Sequence, residues 1–302
     1  MVGSHHTERP SLLDNPHAER VKRVAGLVGR SARSRSGLVL VEGPQAVREL
    51  VRHRATLVRD VYVTEGAAQR HPDVLDAARV ATRWVHPVTE EVARAMSGDA
   101  QGIVAVADAQ AVGGTGIPAP GGPWGERVWG EGVARHGRDL VVLLADAQDP
   151  GNAGTVIRTA DAMGADAAVL TAGSVDPRGP KVIRSSAGSV FHLPVLTGSS
   201  LEEAVEALHA RGCVVVGTSG RDGSLDLSGL LDDALGGGPS LLGSPHAWVM
   251  GNEARGLAPE QEDLCDVLVR VPMTGAAESL NVASAAAACL FASQHVRLHG
   301  AP

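Results

Sequence analysis

The chain has 302 residues, a net charge of −7 at neutral pH, 44% apolar and 20% charged residues, the make-up of a soluble globular protein with material for two cores. Aromatic residues make up only 2%, which speaks against rows of aromatic platforms reading bases, and no uninterrupted apolar run reaches the ~18 residues of a membrane span. Cys213, Cys265 and Cys289 are odd in number, far apart and set in apolar runs. Reduced core thiols in a cytoplasmic protein are therefore expected, and no metal-ligand spacing is present.

In chain order, residues 1–16 read as a disordered N-terminus and 17–109 as a first domain. A helix from His17 carrying Val21, Val24, Leu27 and Val28 leads into a basic stretch expected to be a loop. Between His17 and Ser36, six cations (Arg20, Lys22, Arg23, Arg30, Arg33, Arg35) stand against one acid, Glu19; a solvated helix face and flexible loop is the ordinary reading of such a run. LVLVEG then reads as a buried strand, PQAVRELVRH as a helix with Pro in its first turn, RDVYVTEG as a strand and PDVLDAARV as a helix. TRWVHPV reads as a strand, TEEVARAMSG as a helix capped by Thr89, and QGIVAVADA as the closing strand. The alternation predicts a small α/β domain without a catalytic motif.

Residues 110–138 hold the Gly/Pro cluster GGTGIPAPGGPWGE and are expected to form a mobile linker. From 139 to 302, six Val/Leu-rich runs (RDLVVLLADA, AAVLTAG, VFHLPVL, CVVVGTSG, HAWVMGN, VLVRVPM) indicate a parallel sheet covered on both faces. Ligands of such sheets bind beyond the carboxyl ends of the strands. Three of those ends carry unusual residues: Asp149 to Gly154, Gly251 to Gly256, and Thr274 to Asn281. The last opens an Ala-rich helix, where polar side chains and free N–H groups gather as a small polar ligand requires. The absence of GxGxxG after the first strand counts against a nicotinamide-dependent oxidoreductase.

DPGNAGTVIRTADAMGA, MGNEARGL and VPMTGAAESLNVASAAA, in that order and spacing, resemble the three motifs of the SpoU (TrmH-type) RNA ribose 2'-O-methyltransferases. KVIRSSAGSVFHLPV, Lys181 to Val195, also matches, and the segment from Val21 to Val47 is similar to the ribosomal-protein-like RNA-binding domain that precedes the catalytic domain in many members. Three motifs agreeing jointly form a specific signal, whereas each alone is weak; the linker is longer than the family's usual connection. The resemblance implies an α/β fold whose C-terminal SPOUT domain is tied in a deep trefoil knot, although sheet connections are almost always unknotted. It also implies a homodimer through that domain, and S-adenosylmethionine as methyl donor to a ribose 2'-hydroxyl of RNA. The RNA-binding extension favours 23S rRNA over tRNA, with neither DNA nor membrane as partner. Methylation of tRNA, resistance to a ribosome-directed antibiotic and a non-catalytic SpoU-like RNA-binding protein stay open.

By the same resemblance the cofactor lies in loops around Gly251, Val271 and Leu280, with Thr218, Met273 and Val282 nearby. Adenine and a methionine chain can be held by backbone amides and apolar walls, although singly Gly251 reads equally as a turn and Val271 and Leu280 as core. Arg158 is placed against the ribose and phosphate, where a guanidinium of pKa above ~12 orients and stabilises charge rather than acting as a base. Its plain alternative is a helix-surface pair with Asp161. Asn152 contacts the substrate site or caps its helix; Glu253 positions Arg158 or the ribose. Ser279 and Asn281 hydrogen-bond the nucleotide and fix Arg158, unless they cap the last helix, Ser279 above all. Lys181, Arg184 and Ser185 are candidate phosphate contacts, and Arg30, Arg33 and Arg35 a candidate RNA footprint. A small-residue face of the last helix (Ala283, Ala286, Ala287, Leu290) is expected to meet another helix, partly from a second subunit.

Overall fold

The computed structural model describes residues 11–124, 139–238 and 240–299, in two compact units that part between Ala111 and Val112. In the first, α1 (Glu19–Gly26) and α2 (Arg30–Ser36) precede β1 (Leu38–Glu42), α3 (Pro44–His53), β2 (Val58–Val63), α4 (Glu65–Arg70), α5 (Pro72–Ala81), β3 (Val85–Pro87), α6 (Glu90–Met96) and β4 (Ile103–Asp108). The sheet order is β1-β4-β2-β3, with β4 antiparallel to both neighbours and β3 parallel to β2 on the edge. IVAVA of β4 is buried on both faces because this strand is central, which is why it reads as an unbroken apolar run. Thr89 caps α6, its hydroxyl accepting from Val92 N–H at 3.2 Å. Val21, Val24 and Leu27 bury against Leu40, Tyr62, Val92, Met96 and Val104, each such side chain stabilising by ~1.5–3 kcal/mol.

Two expectations for this unit are corrected. The basic stretch is not a loop: residues 30–36 form α2, and Arg33 is only 6% exposed. Its guanidinium donates to Leu27 O at 3.0 Å and Val28 O at 2.6 Å, closing carbonyls that the end of α1 leaves without helical partners. Arg33 therefore points away from any phosphate, while Arg30 and Arg35 remain exposed. The stretch 1–16 is also ordered in part, since Leu13 pairs in parallel with Val88, donating to Pro87 O at 2.9 Å and accepting from Thr89 N–H at 3.2 Å. Residues 1–10 lie outside the described residues.

The second unit contains β5 (Gly114–Thr115), β6 (Leu140–Leu144), α7 (Pro150–Ala162), β7 (Ala167–Leu170), α8 (Pro180–Ser185), β8 (Val195–Thr197), α9 (Leu201–Ala210), β9 (Val214–Thr218), β10 (Leu225–Asp226), α10 (Leu227–Leu235), β11 (His246–Met250), α11 (Pro259–Glu262), β12 (Val267–Arg270) and α12 (Val282–His299). Its sheet runs β10-β12-β9-β11-β6-β7-β8-β5 and is parallel throughout. All six apolar runs became strands; β5 and β10, two residues each, are too short to show a period. On one face Val141, Leu143, Val169, Val215 and Val249 pack with Leu201, Val205 and Leu208 of α9.

The described part of the expected linker is attached to this unit. Arg211 donates to the carbonyls of Ala119 and Gly122, both at 3.0 Å, lies 4.0 Å from the centre of the Trp124 ring, and pairs with Asp139 at 3.0 Å. Gly/Pro composition hid both the short strand β5, which pairs with β8, and the carbonyls that one guanidinium gathers. Residues 125–138 lie outside the described residues.

On α12 the small-residue face turns into its own chain. Ala286, Cys289 and Leu290 are fully buried where the helix packs on α7, α10 and β11, so the expected contact is intramolecular. The junction is polar at one point: Trp248 Nε1–H donates to Ser293 Oγ at 2.8 Å, His246 Nε2 lies 2.8 Å from the same oxygen, and His246 Nδ1–H donates to Ser244 O at 2.8 Å. Burial without water pushes the His246 pKa down to about 4. The three cysteines are free, and burial pushes each thiol up to about 12. Among the described residues no helix is long and apolar enough to cross a membrane.

Two measurements check this account. Arg33→Ala should lower the unfolding free energy by ~2 kcal/mol, since two charge-assisted bonds are lost, whereas Arg35→Ala should change it by under ~0.5 kcal/mol; equal urea midpoints would mean that Arg33 is not held inside. Between pH ~6.5 and ~4 the unfolded chain protonates His246 while the folded one does not, so stability should fall as pH is lowered through this window, by up to ~3 kcal/mol. His246→Gln should remove that part of the descent, and identical pH profiles of wild type and variant would contradict a buried neutral imidazole.

Candidate active site

Because β6 and β11 are neighbours, the loops leaving their carboxyl ends lie side by side, and Glu253 ties them together. Its carboxylate accepts from Gln148 N–H at 3.2 Å and Asp149 N–H at 3.1 Å. Asn252 Nδ2 donates to Asp146 O at 2.9 Å, and Gln261 and Arg255 donate to the Asp146 carboxylate at 3.0 and 3.3 Å. Asp146 has a φ of +54°, a left-handed conformation that costs a residue with a Cβ unless its surroundings impose it. Gly251 has no room for a side chain: a Cβ would stand 2.2 Å from Gly256 C. Its glycine serves the turn, and only its backbone faces the cavity described below.

Asp149, not Asn152, caps α7, accepting from Asn152 N–H at 2.7 Å. The Asn152 side chain is thereby left to accept from Asn281 Nδ2 at 3.0 Å. Asn281, not Ser279, caps α12, its Oδ1 accepting from Ala283 N–H at 2.8 Å. The first and third sequence motifs thus meet through one amide pair. Ser279 is exposed and makes no hydrogen bond among the described residues.

Arg158 is exposed on α7 and has no hydrogen bond or ion pair among the described residues. Asp161, its plain alternative partner, bonds His192 Nδ1 at 3.0 Å instead. The expectation that Glu253, Ser279 and Asn281 fix Arg158 is not met, because Glu253 is occupied by backbone amides and Asn281 by Asn152 and Ala283. Ser185 is also reassigned: its hydroxyl is directed at Lys181 O, 2.8 Å, and Pro150 O, 2.9 Å. A Cβ on Gly154 would stand 1.9 Å from that hydroxyl oxygen, so Ser185 belongs to the close packing of α7 on α8. Lys181 on α8 stays exposed, 4.0 Å from Asp149, and Arg184 is partly buried.

Beside these loops lies a cavity of about 390 Å³, a size suited to a small-molecule cofactor. All six residues expected to hold one line it: Thr218, Gly251, Val271, Met273, Leu280 and Val282. Thr218 contributes its flank, since its hydroxyl donates to Val249 O at 3.0 Å. Met273 and Leu280 are about two-fifths exposed, apolar surface that a ligand can cover. Glu253 and Glu278 also line the cavity, whereas its two arginines are paired, Arg255 with Asp146 and Arg270 with Asp226. Apolar walls with two carboxylates, and with both lining arginines already paired, suit a cationic, partly apolar ligand such as a sulfonium.

The sequence profile of the SpoU rRNA methylase family matches residues 139–291, and that of the RNA 2'-O ribose methyltransferase substrate-binding domain matches residues 40–112. The chain belongs to the SpoU rRNA methylase family. It is 30% identical over 265 residues to the 23S rRNA (guanosine-2'-O-)-methyltransferase RlmB of Pseudomonas putida, covering 85% of this chain and 96% of that protein. A 23S rRNA (uridine(2479)-2'-O)-methyltransferase of Streptomyces viridochromogenes is 39% identical over 166 residues, 53% of this chain and 54% of that protein. The crystal structure of the SpoU methyltransferase AviRb from the same organism, in complex with the cofactor AdoMet, superposes with a TM-score of 0.69 at 29% identity, covering 94% of this chain and 100% of that one.

Sequence reasoning missed the clamp residues Asp146, Asn252, Arg255 and Gln261. Their roles are set by hydrogen bonds to backbone and to one another, which no periodicity records. In Glu253→Ala the amides of Gln148 and Asp149 should exchange with solvent at least ~10-fold faster while those of β6 keep their protection. Glu253→Gln, with one acceptor oxygen, should restore part of it; unchanged exchange at both amides would show that the clamp is absent in solution.

Proposed function

We propose that this protein transfers a methyl group from S-adenosylmethionine to a ribose 2'-hydroxyl of 23S rRNA. The observation that carries the reading is the convergence of the loops after β9, β11 and β12 on one cavity, with the Asn152–Asn281 bond tying the start of α7 to the last of them. S-adenosylmethionine, when bound by Thr218, Gly251, Val271, Met273, Leu280 and Val282, supplies the electrophilic methyl group. The chain's own part is to orient the hydroxyl for in-line attack and to balance charge as its proton leaves. Arg158 is suited to this because it is unpaired among the described residues, permanently charged and able to fork onto ribose and phosphate oxygens. It is a poor base, so the proton passes to another acceptor.

Asn152 and Asn281 set the position of the two helix starts and offer amide groups to the nucleotide, and Glu253 acts one step back by fixing the loop that starts α7. Lys181, Arg184, Arg30 and Arg35 fit sequence-independent phosphate contacts; Arg33 and Ser185 are withdrawn from that role. The reading extends to a cytoplasmic setting, a knotted C-terminal domain, and a homodimer through that domain. For the dimer the exposed stripe of α12, Phe291 with His295 stacked on it and Leu298, replaces the buried alanine face as the proposed contact.

Arg158→Ala should lose at least ~100-fold in methyl transfer to 23S rRNA, with S-adenosylmethionine affinity within about twofold of wild type, a loss typical of one preorganised charge contact. Activity within a few-fold of wild type would remove Arg158 from the chemistry. Ribose-methylation mapping of rRNA from cells with and without the gene would identify the nucleotide, and an unchanged 23S map would overturn the substrate.

A further inference from the structure

Among the described residues Tyr62, Trp124, Phe191 and Trp248 are buried; besides Phe291 on α12, Trp84 of the first unit, 47% exposed, is the aromatic side chain left in water. An indole left half in water on a folded unit forgoes a large apolar gain, so its surroundings are informative. Trp84 opens the edge strand β3, where its carbonyl accepts from Val61 N–H at 2.9 Å and its N–H donates to Thr82 Oγ at 3.1 Å. The backbone beneath the ring is thus fixed on both sides.

The ring heads a ladder. Trp84 stacks on His86 with centroids 6.2 Å apart and planes 15° from parallel, and His86 stacks on Tyr62 at 5.1 Å and 25°. A guanidinium closes each end: Arg83 lies 4.6 Å from the Trp84 centroid and Arg20 lies 5.7 Å from that of Tyr62. Arg20 is held by Asp60 at 2.9 Å and by the Tyr62 hydroxyl at 3.1 Å, and His86 Nε2 donates to the same Asp60 carboxylate at 2.8 Å. The one carboxylate in the ladder is therefore compensated twice. The strand also borders a cleft of about 1080 Å³ whose charged residues are Arg79, Arg83, Glu65 and Glu90.

We infer that Trp84, with Arg83 and the His86–Tyr62 stack behind it, is a stacking platform for one unpaired nucleobase of the RNA substrate. The inference rests on the proposed RNA substrate. Two features favour RNA over a protein partner. Flat, parallel rings ending in an exposed indole match a base face, which stacks irrespective of sequence. Arg83 at the open end supplies positive charge for an adjoining phosphate, since it is itself exposed and can swing from the indole to a phosphate as a base takes its place. A protein surface would require a contiguous apolar patch, and here polar and charged groups adjoin the ring.

The test uses the full chain and a 12-residue oligouridylate, with indole fluorescence as readout. The oligonucleotide should quench wild-type emission, and Trp84→Phe, which keeps a ring, should lose the quenching while retaining most of the affinity. Trp84→Ala should bind the oligonucleotide roughly tenfold or more weakly and raise KM for 23S rRNA with kcat and S-adenosylmethionine binding unchanged. Arg83→Ala should weaken binding several-fold and reduce its salt dependence. Affinity and KM of Trp84→Ala within twofold of wild type would overturn the platform, even if the enzyme methylates rRNA. Quenching lost with Trp84 in a protein that methylates no rRNA would instead overturn the proposed reaction and leave the platform standing. Trp84→Ala that binds RNA normally but no longer co-sediments with ribosomal particles would assign the indole to a protein contact, and so also overturns the inference.

Discussion

The carboxylate of Glu253 is the interaction on which the catalytic unit depends. Two peptide N–H groups of the first loop, at Gln148 and Asp149, have no strand or helix partner to take them, and a carboxylate is the strongest acceptor a side chain can offer. Once they are held, Asp149 is in place to cap α7. Asn152 is then free to meet Asn281, and Asn281 in turn caps α12. Four groups in series, drawn from three distant stretches of chain, thus fix where two helices begin. The strained Asp146 belongs to the same assembly, since the groups that impose its φ come from Asn252, Arg255 and Gln261.

Much of the fold was legible because strands central to a sheet are apolar on both faces. VVLL of β6, VVV of β9 and AWVM of β11 each sit between two strands, and burial on both sides leaves unbroken runs that need no alignment to find. Legibility failed where a polar side chain replaces secondary structure as the partner of backbone carbonyls. Arg33 inside α2, which reads as surface charge, and Arg211 over the Gly/Pro segment, which no motif marks, each gather carbonyls left without partners by a helix end or an irregular segment. Charge counts cannot separate a guanidinium facing water from one facing peptide oxygens.

The site divides in the same way. Residues that line the cavity were recoverable, because a cofactor wall is a short apolar or glycine motif at a strand end, and motif resemblance preserves such positions. Residue roles were less so. Asn152 and Ser279 both stand at helix starts and both are good caps by type, yet the caps are Asp149 and Asn281, and geometry alone decides. Arg158 was plausible as a surface ion pair until Asp161 was found on His192. The lack of a partner among the described residues, which sequence cannot register, is what makes that arginine a candidate for chemistry.

An acidic chain that acts on a polyanion must draw its affinity from somewhere other than net charge. Charges more than about 10 Å apart are screened at physiological salt, so the acids of the rest of the chain matter little to a phosphate at the first unit, and local composition decides. There the positive groups are largely consumed: Arg33 by carbonyls, Arg20 by Asp60, Arg48 by Asp73, Arg59 by Asp108. Each arginine already paired releases fewer counterions on meeting RNA than a free one. Arg30, Arg35 and Arg83 stay exposed, and beside their few phosphate contacts recognition draws on the portion of binding that salt does not screen, which is stacking and shape. In a chain with 2% aromatic residues, Trp84, the exposed indole among the described residues, carries more of that portion than it would in a basic protein, and it does so where the backbone of an edge strand holds it still.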